Sequence, residues 1–327
     1  MDGIINCGAN LIVWLQNLGS WPVKPMEFFS FLGSEEFYLM VAPAILWCWN
    51  ASLGLRLGLF LMMSASFNSM FKMILHGPRP YWVDSRVHAL ASETSFGVPS
   101  GHSQNAVIVW GTLAAHFGKR IGWVIAVIVI FLIGLSRLVL GLHFPHDVLV
   151  GWIFGGLLLW IFLKISQPLV TWLKGRKTYE QLIAVFAGSL GLILLGLITE
   201  WITANFYIPT EWINSATAAH PDVPIAPFAV SGFISNGGMF FGFAAGAIWL
   251  EKKGGFSEQG KLWQLALRYL IGLLGVLILW YGLGEVFPRG EEIGPYILRY
   301  LRYALVGGWV TGLAPYVFLK LKLASGR

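Results

Sequence analysis

The sequence predicts an all-α fold, a polytopic integral membrane helix bundle of about nine transmembrane helices. Three observations carry that class. Of 327 residues, 56% are hydrophobic and only 12% are charged, against about 25% charged in soluble domains. Mean hydropathy is +0.68. The basic residues gather in alternate connections between apolar runs, which is the bias that orients a membrane protein. The net charge of +6 is explained by those loops, so it implies no nucleic-acid partner.

Residues 4–20 mix apolar and polar positions around Trp14. That pattern reads as an interfacial helix, with a first span as the alternative. Residues 1–36 are therefore taken as an N-terminal interfacial segment. The start, Met1-Asp2-Gly3 with no basic residue before Lys24, does not read as a cleavable signal. The first spanning run is expected near 37–49 and the second near 53–75, with Lys72 close to its end. A polar, proline-containing loop follows over 76–100. Further runs are expected near 102–117, 121–140, 147–165, 182–203, 231–250, 263–287 and 296–318. Cys7 and Cys48 form no framework and are expected free. Gly151 and Gly155, and Gly238, Gly242 and Gly246, recur every four residues, as close helix packing requires. Trp47, Trp49, Trp201 and Trp212 lie near span ends and read as interface belts. Glu200 and Glu211 read as solvated acids.

Orientation follows from the cations. One set of alternate connections and the C-terminus holds Arg56, Lys119, Arg120, Lys164, Lys174, Arg176, Lys177, Lys252, Lys253, Lys261, Arg268, Lys320, Lys322 and Arg327, most of the 22 basic residues. Residues 204–230 contain neither Lys nor Arg. The N-terminus is therefore expected outside and the C-terminus in the cytoplasm. The loop at 76–100 and the turn at 141–147 then share the outer face.

Three blocks converge on that face. They are Lys72 with Arg79-Pro80, then Pro99-Ser100-Gly101-His102, then Ser136-Arg137 with His143 and Asp147. Polar groups between membrane-length apolar runs are expensive to place and suggest a site. Three cations, Lys72, Arg79 and Arg137, need an anion. Arginine offers a planar fork matched to phosphate oxygens and lysine a point charge. Ser100 and Gly101 open a helix whose N–H groups and dipole favour an anion. His143 and Asp147 are four apart and share a helix face if the helix starts at Pro145. A carboxylate behind an imidazole fixes its tautomer and raises its nucleophilicity. His76, His88, His116, His146 and His220 are scattered without ligand spacing, so neither a metal nor a cofactor is expected. His76 either borders the site or caps the second span, and His146 reads as non-essential.

These blocks resemble the tripartite signature of the type 2 phosphatidic acid phosphatase superfamily. That superfamily includes glucose-6-phosphatase, bacterial lipid and undecaprenyl-pyrophosphate phosphatases, and vanadium haloperoxidases. Every position of the signature is matched: Lys72, Arg79, Pro80; Pro99, Ser100, Gly101, His102; Ser136, Arg137, His143, Asp147. The resemblance covers residues 37–165, taken as a phosphatase catalytic helical core. Residues 166–327 are expected to add transmembrane helices of unassigned role. Nine spans, N-out and C-in, and Arg79-Pro80-Tyr81-Trp82 look most like the glucose-6-phosphatase branch.

The resemblance implies roles for the site residues. His143 would attack phosphorus and form a phosphohistidine, and Asp147 would orient it. His102 would protonate the leaving oxygen and then deprotonate water. Lys72, Arg79, Arg137, Ser100 and the Gly101 N–H would hold the non-bridging oxygens without a metal. The expected activity is hydrolysis of a phosphate monoester or pyrophosphate at the extracytoplasmic face. A phosphorylated lipid is favoured as substrate, beside the membrane lipids themselves. A sugar phosphate and a phosphotransfer to an alcohol are the alternatives. An anion transporter would need the charge but not the nucleophile. A bacterial inner or plasma membrane is favoured, with the endoplasmic reticulum open, and no oligomeric state is implied. Tyr81 and Trp82 follow Arg79-Pro80 and are expected either to pack on an acyl or prenyl chain or to anchor the loop.

Overall fold

The computed structural model describes residues 2–327. Met1, the first residue of the expected interfacial segment, lies outside them. Among the described residues every regular element is helical: α1 (Asp2–Gln16), α2 (Val23–Phe31), α3 (Glu35–Cys48), α4 (Ala51–Leu75), α5 (Pro80–Val83), α6 (Gly101–Phe117), α7 (Arg120–Val139), α8 (Pro145–Lys174), α9 (Thr178–Thr203), α10 (Thr210–Ala219), α11 (Ser231–Lys252), α12 (Leu262–Leu277), α13 (Leu283–Val286), α14 (Ile293–Gly308) and α15 (Ala314–Lys320). A π turn at Ile278–Gly282 joins α12 to α13, and another at Trp309–Leu313 joins α14 to α15.

Local sequence sets the ends that matter. Ser100 caps α6 by accepting the Ser103 N–H, and Gly118 closes it in the left-handed region at φ +63°. Pro145 opens α8, where its missing N–H costs nothing. The turn from α7 to α8 needs Gly141, at φ +73°, because a side chain there would also meet the His88 carbonyl.

Six stretches among the described residues are long and apolar enough to cross a membrane: Ala51–Val83, Arg120–Val139, Pro145–Lys174, Thr178–Thr203, Ser231–Lys252 and Leu262–Val286. A seventh is counted if α2 and α3, bent by 49°, form one span. The sequence predicts about nine. All nine expected runs are helical, but α6 has 17 residues and buries Ser103, Gln104, Asn105 and Thr112, and α14 carries Arg299 and Arg302. Length separates α3, with 14 residues, and α6 from the six, and α14 spans only 16 residues besides carrying two arginines. The exposed faces of α7 and α8 display Val127, Phe131, Ile153 and Trp160, a surface suited to lipid rather than water.

The chain divides into two compact units. One contains the N-terminal stretch through Phe37, Phe67–Ile161 and Leu197–Ala229. Its core holds Tyr81, Trp82, Phe96, Leu142 and Phe144, with Phe206, Trp212 and Phe228 packed against them. The other contains Tyr38–Ser66, Phe162–Gly196 and Val230–Arg327. There α11 lies directly on α14: a Cβ at Gly238 or Gly242 would strike the carbonyls of Tyr300 or Ala304. Small residues let helix backbones meet where lipid supplies no hydrophobic drive.

One aromatic expectation is corrected. Trp47 is not in an interface belt; it is fully buried in the second unit and donates its Nε1–H to the Val310 carbonyl at 2.7 Å. Trp212 packs on Trp82 within the first unit. Trp49 and Trp201 are exposed. Cys7 and Cys48 are free thiols.

Candidate active site

Four helix ends and one loop of the first unit supply the site. Lys72 lies in the last turn of α4, and Arg79 precedes α5 in extended backbone. Ser100 and Gly101 open α6, Arg137 lies in the last turn of α7, and Asp147 in the first turn of α8. Lys72, Arg79, Ser100, Arg137, His143 and Asp147 are all buried. His102 is less enclosed and sits among the charges of Arg137, Glu93, Lys72 and Arg79. The structure therefore brings together all eight residues singled out from the sequence.

The dyad is formed. His143 Nδ1 is 3.2 Å from Asp147 Oδ2, which also accepts the Phe144 N–H at 2.9 Å. The other ring nitrogen, Nε2, faces Arg79 Nη1 at 3.3 Å. With a carboxylate at Nδ1 and a guanidinium at Nε2, the proton belongs on Nδ1 and the lone pair on Nε2. Burial, then the charges of Arg79, Arg137 and Lys72, push the His143 imidazole well below its ordinary range. The ring is thus neutral at neutral pH.

Arg79 is fixed mainly by backbone. Nε donates to the Ser95 carbonyl at 2.7 Å, Nη1 to Leu142 at 3.0 Å and Nη2 to Phe96 at 3.2 Å. Lys72 Nζ donates to Ser95 Oγ at 2.8 Å. Arg137 is held differently, by Ser30 Oγ at 2.6 Å and Glu93 Oε1 at 2.5 Å. Glu93 also reaches Arg79 through Oε2, at 3.4 Å. Burial pushes the Glu93 carboxyl up, but Arg79, Arg137 and Lys72 outweigh it and hold the group below the usual carboxylate range.

Several of these residues escape sequence reasoning. Glu93, Ser95 and Ser30 touch the cations yet lie outside the three blocks. Asn68 donates to the Pro99 carbonyl at 3.3 Å and to Gln104 Oε1 at 3.0 Å, steadying the start of α6. At Gly97 a Cβ would lie 2.8 Å from the Pro78 carbonyl and 3.0 Å from Asp147 Oδ2. Glu93 is one of two acids between the first two signature blocks, and Asp84, the other, pairs with Arg86 instead. His146 is nearer than expected, with Nε2 3.2 Å from Asp147 Oδ1. His76 stacks on Phe206, with ring centroids 3.8 Å apart, and packs edge-on against Phe96. Tyr81 and Trp82 are buried in the core, so they do not offer a surface to a lipid chain and anchor the loop instead. Among the described residues no group of three or more His, Cys, Asp or Glu could hold a metal ion.

The family model described as PAP2 superfamily matches residues 53–170, which contain all three blocks. A second, described as PAP2 superfamily phosphatase, transmembrane extension, matches residues 234–326, where the sequence offered no recognisable motif. The chain belongs to the PAP2 superfamily. This PAP2 superfamily membrane phosphatase is 25% identical to human glucose-6-phosphatase 2, over 100% of its own length and 99% of that protein. It is 39% identical to phosphatidylglycerophosphatase B of Bacillus subtilis (strain 168) over 84 residues, 23% of this chain and 41% of that one. A solved PAP2-type phosphatidylglycerolphosphate phosphatase from Bacillus subtilis aligns with a TM-score of 0.43 at 26% identity, covering 50% of this chain and 87% of that one.

Proposed function

We propose that the protein hydrolyses a phosphate monoester through a phosphohistidine on His143, at the extracytoplasmic face of its membrane. The observation that carries this reading is the His143 pair: Nδ1 against Asp147 and the lone pair of Nε2 facing Arg79. Nε2 attacks phosphorus, and the P–N bond forms as the bond to the leaving oxygen breaks. His102 gives that oxygen its proton. A water then yields a proton to His102 as its oxygen attacks phosphorus. The P–N bond breaks, and its electron pair returns to Nε2. Lys72, Arg79, Arg137, the Ser100 hydroxyl and the Gly101 N–H meet the charge that grows on the non-bridging oxygens. Catalysis is assigned to residues 37–165, and the N-out, C-in orientation rests on the distribution of Lys and Arg.

The leaving group has two readings. Likeness to glucose-6-phosphatases over the whole chain supports a small, soluble sugar phosphate. The higher identity to phosphatidylglycerophosphatase B over the shared 84 residues supports a lipid phosphate. Burial of Tyr81 and Trp82 removes the feature that had favoured lateral lipid entry. The test is phosphate release from glucose 6-phosphate, phosphatidate, phosphatidylglycerophosphate, a sphingoid phosphate and undecaprenyl pyrophosphate. Turnover of at least one, abolished in His143→Ala and inhibited by vanadate, is expected. Turnover that survives His143→Ala would overturn the phosphohistidine.

A further inference from the structure

Arg79 and Arg137 are both buried guanidiniums, but only Arg79 is locked by backbone carbonyls. Arg137 is held at its two terminal nitrogens by side chains: Nη1 by Ser30 and Nη2 by Glu93. Its Nε is buried without a hydrogen-bond partner. A buried, unpaired donor costs free energy unless something arrives to meet it. Glu93 is itself braced from both sides. Its carbonyl accepts the Tyr81 hydroxyl at 3.3 Å, and the next carbonyl, of Thr94, accepts the Ala226 N–H at 2.9 Å. Its side chain is 23% exposed, so it stands where the site meets water. Ser30 comes from α2, outside both family-model matches.

We propose that Glu93 and Ser30 are positioning residues for Arg137: together they fix its guanidinium and leave the Nε–H for an oxygen of the bound phosphoryl group. The proposal rests on the phosphatase reading and deepens it. Positioning and plain electrostatics make opposite forecasts here. Glu93 carries negative charge into a site that must receive an anion. By charge alone, its removal should tighten phosphate binding. By positioning, its removal frees Arg137 to turn away, and a misplacement of about 1 Å can cost about 10²-fold.

The experiment uses the full-length protein in detergent micelles, with inorganic phosphate binding measured by calorimetry beside turnover of whichever ester the wild type hydrolyses. Glu93→Gln is expected to weaken phosphate binding about tenfold and to lower kcat/KM about 10²-fold. In an Arg137→Ala background the same change should shift either quantity less than about threefold, because Glu93 acts chiefly through Arg137 and its contact with Arg79, at 3.4 Å, is the longer one. Ser30→Ala should lower kcat/KM about tenfold, and Ser30→Thr, which keeps the hydroxyl, should restore most of it. Tighter phosphate binding in Glu93→Gln would overturn the proposal and make Glu93 a competitor of the substrate. Equal losses with and without Arg137 would overturn it too. Should Glu93→Gln fail to fold, the serine pair decides: no loss in Ser30→Ala, or no recovery in Ser30→Thr, defeats the proposal. A wild type that binds phosphate but hydrolyses no ester would defeat the phosphatase reading, and the binding arm would still test Glu93.

Discussion

His143 was legible in the sequence, whereas Glu93 and Ser30 were not, and the difference is physical. A histidine four residues before an aspartate, between two uncharged runs, has few structural uses. An acid in a polar loop, or a serine in an apolar helix, has many. Their role appears only in contacts to Arg137 across 44 and 107 residues of chain. At this scale the chemistry makes two forecasts. First, Asp147→Asn should lower kcat about 10²-fold or more in a steady-state assay while KM changes little, because it disturbs the tautomer of His143 rather than ground-state binding. A large rise in KM at constant kcat would assign Asp147 to binding. Second, His143, depressed by burial and by its cationic neighbours, stays neutral until the solution is more acidic than an ordinary imidazole requires. The acid limb of kcat/KM that belongs to His143 should therefore lie below about pH 6.5. An acid limb for the same group above pH 7 would contradict the buried, neutral ring. Stability follows the same sign. The unfolded chain takes up the His143 proton near pH 6.5 and the folded one does not, so stability declines as pH falls below that value. Glu93, also depressed in the folded state, adds stability that is present above the ordinary carboxylate range and is lost as pH falls through its folded value.

Helices are easier to read than spans. Each expected run is helical in the structure because a membrane-length apolar run can satisfy its own backbone only as a helix. The number of spans was less legible, since α3 and α6 end at 14 and 17 residues and α14 carries Arg299 and Arg302. Trp47 misled for a related reason. An aromatic residue near a span end suits an interface, and its true partner, the Val310 carbonyl, is 263 residues away. The glycine repeats were legible, and they connect packing to catalysis. In α8, a Cβ at Gly151 would lie 2.7 Å from the Ser100 carbonyl and 3.1 Å from Ser103 Cβ. The first of these is backbone at the start of α6, where the phosphate is expected to bind. Gly156 is the internal control, with nothing within 4 Å of its Cβ position. Gly151→Ala is expected to cost about 1–3 kcal/mol of stability by overpacking and to lower kcat/KM about tenfold by shifting Ser100. Gly156→Ala should change neither. Thermal unfolding and turnover of the two variants check this, and equal behaviour would mean that α8 does not set the position of the α6 terminus.

Across the whole molecule, sidedness can be argued without first fixing the number of spans. α8 begins beside the site at Asp147 and runs 30 residues to Lys174. At about 1.5 Å per residue that is roughly 45 Å, more than the roughly 30 Å hydrocarbon core of a bilayer. A helix of that length that crosses the bilayer is expected to bring Gly175 to the side opposite the site. The segment from 204 to 230 lies on the site's own side, because the Ala226 N–H bonds to the Thr94 carbonyl and His76 stacks on Phe206. Ser85 lies in the same loop as Thr94. These relations hold for six, seven or nine spans. Which side is outside then follows from charge: Lys174, Arg176 and Lys177 surround Gly175, and residues 204–230 carry no Lys or Arg, so Gly175 is expected in the cytoplasm. The measurement starts from a Cys7→Ser, Cys48→Ala background, since both native thiols are free. Single cysteines are placed at Ser85, Ala218 and Gly175, all exposed positions, and intact cells are treated with an impermeant thiol reagent. Ser85→Cys and Ala218→Cys should label, and Gly175→Cys should label only after the membrane is opened. Labelling of Gly175→Cys alone would keep the fold and reverse the orientation, placing the site in the cytoplasm. Opposite behaviour at Ser85 and Ala218 would contradict the Ala226–Thr94 contact itself, and with it the bracing of Glu93.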